Sequence, residues 1–233
     1  MARPVPPERF DQLVRTAAEV FIRSGYRRTQ MADVADALGV AKGTVYLYVE
    51  SKEALFDVVA RHIDEDAPIP CPRKLPLRTP STAATLKLVR ERILAQGRIA
   101  PLDDALSVTR PPRDARGELE EIALASYDVL YRNRRGIKLI DRSSVDRPDL
   151  AALWFEGGRE GLLALLATYF RSRIAAGVLR SVTDVDTAAR AVVEILAFWA
   201  VHRHWDVHPQ PTSEAHARAT AAELIVRMFA KET

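Results

Sequence analysis

The chain of 233 residues contains little cysteine and no long apolar run. Its one cysteine, Cys71, cannot close an intramolecular disulfide, which suits a reducing compartment. The absence of a run of about 18 apolar residues argues against a membrane-spanning helix. The first residues, Met-Ala-Arg-Pro-Val-Pro-Pro, hold no apolar signal core. We therefore expect a cytoplasmic protein without a membrane partner.

An excess of charge of one sign is also missing. The formal net charge is +3, and residues 1–63 carry nine Lys or Arg against eight Asp or Glu. The composition therefore gives no support to a general attraction to nucleic acid. DNA binding has to depend on where a few cations lie, and four of them surround one short motif: Arg27, Arg28, Lys42 and Lys52.

Glycine is scarce, at ten residues, and no alternating apolar pattern of useful length predicts a strand. Apolar residues recur instead at helical spacing, so the predicted fold class is all-α. The predicted helices cover residues 7–25, 31–38, 42–49, 52–65, 81–100, 102–109, 113–133, 136–142, 148–176, 184–205 and 213–230.

Proline is concentrated in one place. Residues 67–80 hold five prolines, a density that no helix tolerates, and this predicts an extended connector. We place a domain boundary there. Residues 1–66 then form a small N-terminal domain, and residues 81–233 form a larger helical domain.

The small domain contains two short helical patterns around a glycine. Val34, Ala35 and Leu38 share one face of the first pattern, and Gly39 allows a left-handed residue at its end. Val45 and Val49 would face inward from the second. Two helices joined by such a turn predict a helix-turn-helix, whose second helix enters the DNA major groove. The second helix would present its other faces outward, with Lys42, Thr44, Tyr46 and Tyr48.

Four segments around this motif resemble, in order and spacing, the DNA-binding domain of tetracycline-repressor-type (TetR) regulators. They are residues 21–26 (FIRSGY), 32–35 (ADVA), 39–49 (GVAKGTVYLYV) and 51–55 (SKEAL). Two positions depart from the family pattern. Ala41 stands where serine is usual, which removes one hydroxyl contact to DNA, and Val49 replaces the usual phenylalanine, a conservative core change.

The resemblance implies a ligand-responsive transcription regulator, most often a repressor, that binds a near-palindromic operator as a homodimer. It implies that Thr44 and Tyr46 contact double-stranded DNA, that Gly43 lets the backbone approach, and that Lys52 binds a phosphate. The full set of expected DNA-binding residues is Thr29, Lys42, Gly43, Thr44, Tyr46, Tyr48 and Lys52. Thr29 is also a candidate N-cap for the first motif helix.

The larger domain is expected to hold the small-molecule effector and the dimer contact. Glycines at 157, 158 and 161 open a gap in the predicted helix 148–176, with aromatic residues around it. Plain core packing remains the alternative reading of these residues. Wide apolar stripes in residues 184–230 are expected to pair with a second copy. The candidate ligand-binding residues are Tyr127, Tyr131, Trp154, Phe155, Gly158 and Leu162.

A histidine cluster supports a different class of function. His202, His204 and His208 lie within seven residues together with Asp206, and such side chains can bind a metal. The alternative function is therefore a helical metal-dependent hydrolase. Neither a nucleophile–base pair nor a glycine-rich phosphate loop accompanies the cluster. We therefore expect a regulator rather than an enzyme, with no cofactor and no metal.

Overall fold

The computed structural model describes residues 7–108 and 110–231. Within those ranges the backbone forms α-helices joined by short turns and one extended segment, and isolated bridges take the place of strands. The all-α prediction is confirmed. The helices are α1 (Pro7–Ser24), α2 (Met31–Leu38), α3 (Lys42–Val45), α4 (Lys52–His62), α5 (Thr82–Gln96), α6 (Ala100–Ser107), α7 (Ala115–Arg132), α8 (Arg134–Ser144), α9 (Pro148–Ala152), α10 (Glu160–Ala175), α11 (Val185–Ala200) and α12 (Glu214–Phe229).

The predicted helices are found, but several of them are shorter or interrupted. The expected single helix 148–176 is wrong, because a π-helical segment, Leu153–Arg159, separates α9 from α10. This segment contains Gly157 and Gly158, which favour a regular helix poorly. The helix expected to reach Trp205 ends at Ala200, and a 3₁₀ turn over His202–Trp205 follows. Residue 109, the predicted end of α6, lies outside the described residues.

The first of two compact units comprises the chain up to Ile93 together with Arg135–Trp154. Its core lies where α1 packs on α2 and α4, because the apolar face of each helix has to leave water. The ring of Phe56 meets Phe21 and Tyr26 edge-on, with centroids 5.4 Å and 5.1 Å apart. These aromatic contacts hold α1, α4 and the loop after α1 in one arrangement.

Helix α8 belongs to this first unit although it comes late in the sequence. The Asp64 carboxylate accepts hydrogen bonds from the first amides of α8, at Arg135 (3.1 Å) and Gly136 (3.0 Å). At the other end of α8, Arg142 donates to the carbonyl of Ile22 at the end of α1 (3.2 Å). The compact unit therefore continues past residue 66, and the domain boundary at 67–80 stays a prediction.

The second unit comprises Leu94–Arg134 and the residues from Phe155 onward. Helices α7, α10, α11 and α12 pack against one another there, and Phe170 stacks on Phe229 with centroids 4.0 Å apart. Arg173 is buried and bound to Glu118 through two hydrogen bonds, of 2.8 Å and 3.1 Å. Among the described helices of the whole chain, none has both the length and the apolar character needed to cross a bilayer.

Candidate DNA-binding site

The helix-turn-helix begins with a well-terminated α2. Val34 and Ala35 are buried against the core as predicted, and Gln30 is the N-cap residue, with its amide donating to the Asp33 carboxylate at 2.8 Å. Gly39 adopts φ 71°, the left-handed conformation expected of it, and the amide of Val40 then donates to the carbonyl of Ala35 at 2.9 Å. The turn is therefore closed by backbone hydrogen bonds.

Helix α3 follows the turn and is shorter than predicted. It ends at Val45, and a tight turn carries the chain on through Tyr48, with the Tyr48 amide donating to the Val45 carbonyl at 3.0 Å. Val45 and Val49 are fully buried, as the pattern predicted. Val45 fastens this very short helix to the core and Val49 fastens the turn after it, which leaves the opposite side of both facing solvent.

The solvent side of α3 and of the turn after it carries four of the seven expected DNA-binding residues. Lys42 and Gly43 are exposed, Thr44 is half-buried, and Tyr46 is 40% exposed. A Cβ at position 43 would meet no described atom within 4 Å, so a partner can approach the backbone there. Leu47 is 52% exposed and was not predicted. Its spacing from Gly43, i and i+4, is the signal that would have identified it.

Tyr48 does not lie on that side. Its side chain is 1% exposed, and its ring lies 6.1 Å from the ring of Phe10 on α1. Burial raises the pKa of the Tyr48 phenol above its ordinary value. The expectation of an outward Tyr48 is wrong, because the turn after Val45 rotates this side chain into the core.

Thr29 is also buried, and it does not cap α2. Its hydroxyl donates to the carbonyl of Gly25 at 2.8 Å, within the loop that joins α1 to α2. The neighbouring residue, Gln30, is the N-cap instead. Thr29 therefore shapes the loop, and its hydroxyl is not presented to a partner.

Lys52 lies at the start of α4. Ser51 caps this helix, and its hydroxyl accepts from the Ala54 amide at 3.1 Å. The Lys52 ammonium donates to three carbonyls of the α1–α2 loop: Tyr26 (3.1 Å), Arg27 (3.3 Å) and Thr29 (3.1 Å). An ammonium has three donors, so this loop takes all of them. The geometry assigns Lys52 to holding the loop in place, and a phosphate contact would have to displace these bonds.

Tyr26 completes this arrangement. The Lys52 nitrogen lies 4.6 Å from the centre of its ring, and the guanidinium of Arg147 lies 4.9 Å from the same centre. The Tyr26 hydroxyl donates to Glu53 at 2.9 Å, and burial raises the pKa of this phenol. The exposed cations beside the motif are consequently Arg27, Arg28 and Lys42, for which the described part of the chain offers no ion-pair partner.

The expected ligand-binding residues are distributed over both units. Trp154 belongs to the first unit and the others to the second. Tyr127 and Tyr131 stack at 6.5 Å, and the Tyr127 hydroxyl donates to Glu214 (2.5 Å) and to the carbonyl of Trp199 (3.2 Å). Phe155 and Gly158 lie in the π-helical segment, where Phe155 is exposed, and Leu162 is half-buried in α10.

The histidine cluster does not form a metal site in the described part of the chain, where no group of three His, Cys, Asp or Glu side chains has suitable geometry. His202 and His204 lie on the 3₁₀ turn, and His208 lies in the loop beyond it. His204 faces Glu214 at 3.6 Å, and burial lowers the pKa of its imidazole. The hydrolase alternative therefore finds no support.

A short helix with an exposed polar side, fixed by a glycine turn to a second helix, defines a helix-turn-helix DNA-binding protein. Comparison with family models identifies the family. Residues 13–59 match the model described as "Bacterial regulatory proteins, tetR family", and residues 119–232 match "AefR-like transcriptional repressor, C-terminal domain". The chain belongs to the TetR family of transcriptional regulators, and it is not an enzyme.

The curated relatives resemble this chain through the DNA-binding region. The transcriptional activator FasR of Mycolicibacterium smegmatis is 41% identical over 58 residues, 24% of this chain and 26% of that protein. The transcriptional repressor KstR2 of Rhodococcus jostii is 36% identical over 55 residues, 24% of this chain and 27% of that protein. The chain thus spans about a quarter of the length of the curated relatives it matches.

Solved structures resemble the chain over nearly its whole length. The ketosteroid transcriptional regulator KstR2 of Mycobacterium tuberculosis has a TM-score of 0.57 at 18% identity, covering 98% of each chain. PfmR of Thermus thermophilus has a TM-score of 0.51 at 23% identity, covering 93% of this chain and 97% of that one. At these identities the likeness shows the fold.

Proposed function

We propose that this regulator is a ligand-responsive repressor that binds a near-palindromic operator in the cytoplasm as a homodimer. The observation that supports the DNA contact is the exposed side of α3 and of the turn after it. Lys42, Gly43 and Tyr46 are exposed there, and Thr44 is half-buried. A helix of this length, held from behind by two buried valines, offers its outer side to a groove.

The homodimer is supported by apolar side chains that the protomer leaves exposed on its last helices. Phe198 on α11 is 41% exposed, and Leu224 on α12 is 46% exposed. Ala222 and Ile225 lie within the apolar stripes expected to form the seam between copies, but both are buried inside the protomer itself. We therefore assign the seam to the outer faces of α11 and α12.

The effector part of the proposal rests on a group of aromatic residues in the second unit. Arg159 pairs with Glu194 and Arg171 with Asp186, so α10 and α11 run antiparallel, and Phe155 falls at the same end of α11 as Phe198. Tyr127 reaches that end too, through its bond to the Trp199 carbonyl. Apolar walls with few polar groups suit a small organic molecule. Among the structural neighbours, KstR2 is a ketosteroid transcriptional regulator, and SmeT was solved in complex with triclosan.

The test is selection of genomic fragments by the purified full-length protein. We expect enrichment of a two-fold symmetric sequence whose half-sites lie about 34–36 Å apart, one turn of the duplex. Enrichment of asymmetric sequences, or of none, would contradict the proposal. Small molecules that release a selected fragment then identify the effector. Gly158→Phe is expected to block release while leaving DNA binding intact.

A further inference from the structure

The connector, residues 67–80, is extended as its prolines predicted, but it lies against the helix-turn-helix. The Leu77 amide donates to the carbonyl of Tyr48 at 2.7 Å, and the Leu77 carbonyl accepts from the amide of Glu50 at 2.9 Å. These bonds form a parallel bridge between Leu77 and Val49. The connector therefore runs beside the residues that join α3 to α4.

Further contacts hold the connector along its length. The Thr79 hydroxyl donates to the hydroxyl of Ser51, the cap of α4, at 2.8 Å. At the other end, Ile69 is buried and its amide donates to the Asp11 carboxylate at 3.0 Å. The guanidinium of Arg15 donates to the Ala67 carbonyl at 2.9 Å. Because five prolines already restrict this backbone, little conformational entropy is lost when it is held in place.

The charge on the connector is all of one sign. It carries Arg73, Lys74 and Arg78 and no Asp or Glu, whereas residues 1–63 are nearly neutral. The three cationic side chains are exposed, and the described residues provide no ion pair for them. Arg78 directly follows Leu77, so its Cα lies about 3.8 Å from the Cα of the residue that is bonded to Tyr48 and Glu50. Lys52, the lysine expected to bind phosphate, is already committed to three carbonyls.

We propose that the connector is a second DNA-contacting element, in which Arg73, Lys74 and Arg78 bind backbone phosphates beside the groove that α3 enters. This inference rests on the proposed function, since it needs α3 to bind DNA. An extended basic segment suits phosphates rather than base edges, because it carries flexible cations and no element that fills a groove. The contacts would add affinity and salt dependence without adding sequence preference.

The experiment compares the full-length wild type with the triple variant Arg73→Gln/Lys74→Gln/Arg78→Gln. The probes are a genomic fragment selected by the wild type and a random-sequence duplex, each titrated at several salt concentrations. Each lost phosphate contact reduces the magnitude of the slope of log K against log salt by about 0.9. For three contacts we therefore expect this magnitude to fall by up to about 2.7 per subunit. Both probes should weaken by the same factor.

The matched control is Arg90→Gln/Arg113→Gln/Arg116→Gln, which removes the same charge from exposed positions on α5 and at the start of α7. Its salt slope should equal that of the wild type. A connector variant that keeps the wild-type slope would overturn the inference, and one that changes the preference for the selected fragment would overturn the phosphate assignment. If the triple variant does not fold, Arg78→Gln alone should still lower the slope by about one per subunit. If the wild type selects no genomic fragment in the first place, the proposed function itself fails.

Discussion

Lys52 and Tyr26 are joined twice, through a 3.1 Å hydrogen bond to the Tyr26 carbonyl and through the face of its ring, 4.6 Å from the ammonium. The pair connects the start of α4 to the loop that leads into α2. The family resemblance implies that Lys52 binds a phosphate. Its contacts instead use the ammonium to fasten the start of α4 to the loop before α2.

Replacing Lys52 with methionine should therefore act mainly on folding. Three carbonyls lose a charged donor, so we expect a loss of about 1–3 kcal/mol in the free energy of unfolding, measured with denaturant. Operator affinity should fall while the salt slope stays near the wild-type value. The control is Lys42→Met, an exposed lysine, which should leave stability within about 0.5 kcal/mol and lower the slope by about one per subunit. If Lys52→Met instead kept the wild-type stability and reduced the salt slope, Lys52 would be a phosphate contact.

The two tyrosines of the motif should separate binding from stability. Tyr46→Ala removes an exposed side chain, so it should reduce operator preference over random DNA with little effect on unfolding. Tyr48→Ala removes a buried ring packed on Phe10, and we expect it to cost about 3–5 kcal/mol of stability. Duplex titration and denaturant unfolding of both variants make the comparison. Equal stability losses at the two positions would contradict the placement of Tyr48.

Asp64 should anchor α8 to the end of α4. Asp64→Ala removes the acceptor for the amides of Arg135 and Gly136, a cap worth about 0.5–2 kcal/mol, and it also removes the ion pair between Asp64 and Arg92 (3.2 Å). Amide hydrogen exchange at the start of α8 should then accelerate. Asp66→Ala, at an exposed position two residues on, serves as the control. Unchanged exchange in the Asp64 variant would mean that this cap does not secure α8.

The assigned dimer seam can be tested with paired charge insertions. Leu224→Arg should give a folded monomer at micromolar concentration, because an unpaired charge in a seam between copies is strongly disfavoured. Ala222→Arg should instead destabilise the protomer, since Ala222 is buried within it. Light scattering reports the oligomeric state, and circular dichroism reports the fold. A Leu224→Arg variant that remains a dimer places the seam elsewhere.

The ion pair between Arg147 and Asp149 should contribute stability that is lost in acid. The hydrogen bond from the Arg147 guanidinium lowers the pKa of the Asp149 carboxyl, so the unfolded chain takes up the proton more readily than the folded one. The contribution is complete above the unfolded pKa of about 3.9 and declines as the pH falls through the lowered value. Asp149→Asn should therefore lose more stability at neutral pH than in acid. A stability difference between Asp149→Asn and the wild type that did not change with pH would contradict this contribution of the ion pair.

What the sequence by itself determined here is local. The periodic valines and Gly39 are sufficient for α2, the turn and the start of α3, because helix faces and helix ends depend on residues three to five positions apart. The prolines of residues 67–80 likewise imply an extended chain wherever it lies. The boundaries of α1, α2 and α12 follow from the same short-range signals.

Only the tertiary structure decided which side chains turn inward and which groups they bind, because those contacts join residues that are far apart in the sequence. Tyr48 turns inward to meet Phe10, and Lys52 meets carbonyls more than twenty positions earlier. Leu77 pairs with Tyr48 and Glu50, which makes a predicted spacer part of the DNA-binding unit. No pattern within a single helix encodes such contacts, since each arises only when separate segments bury their apolar faces together and the polar groups left between them must find partners.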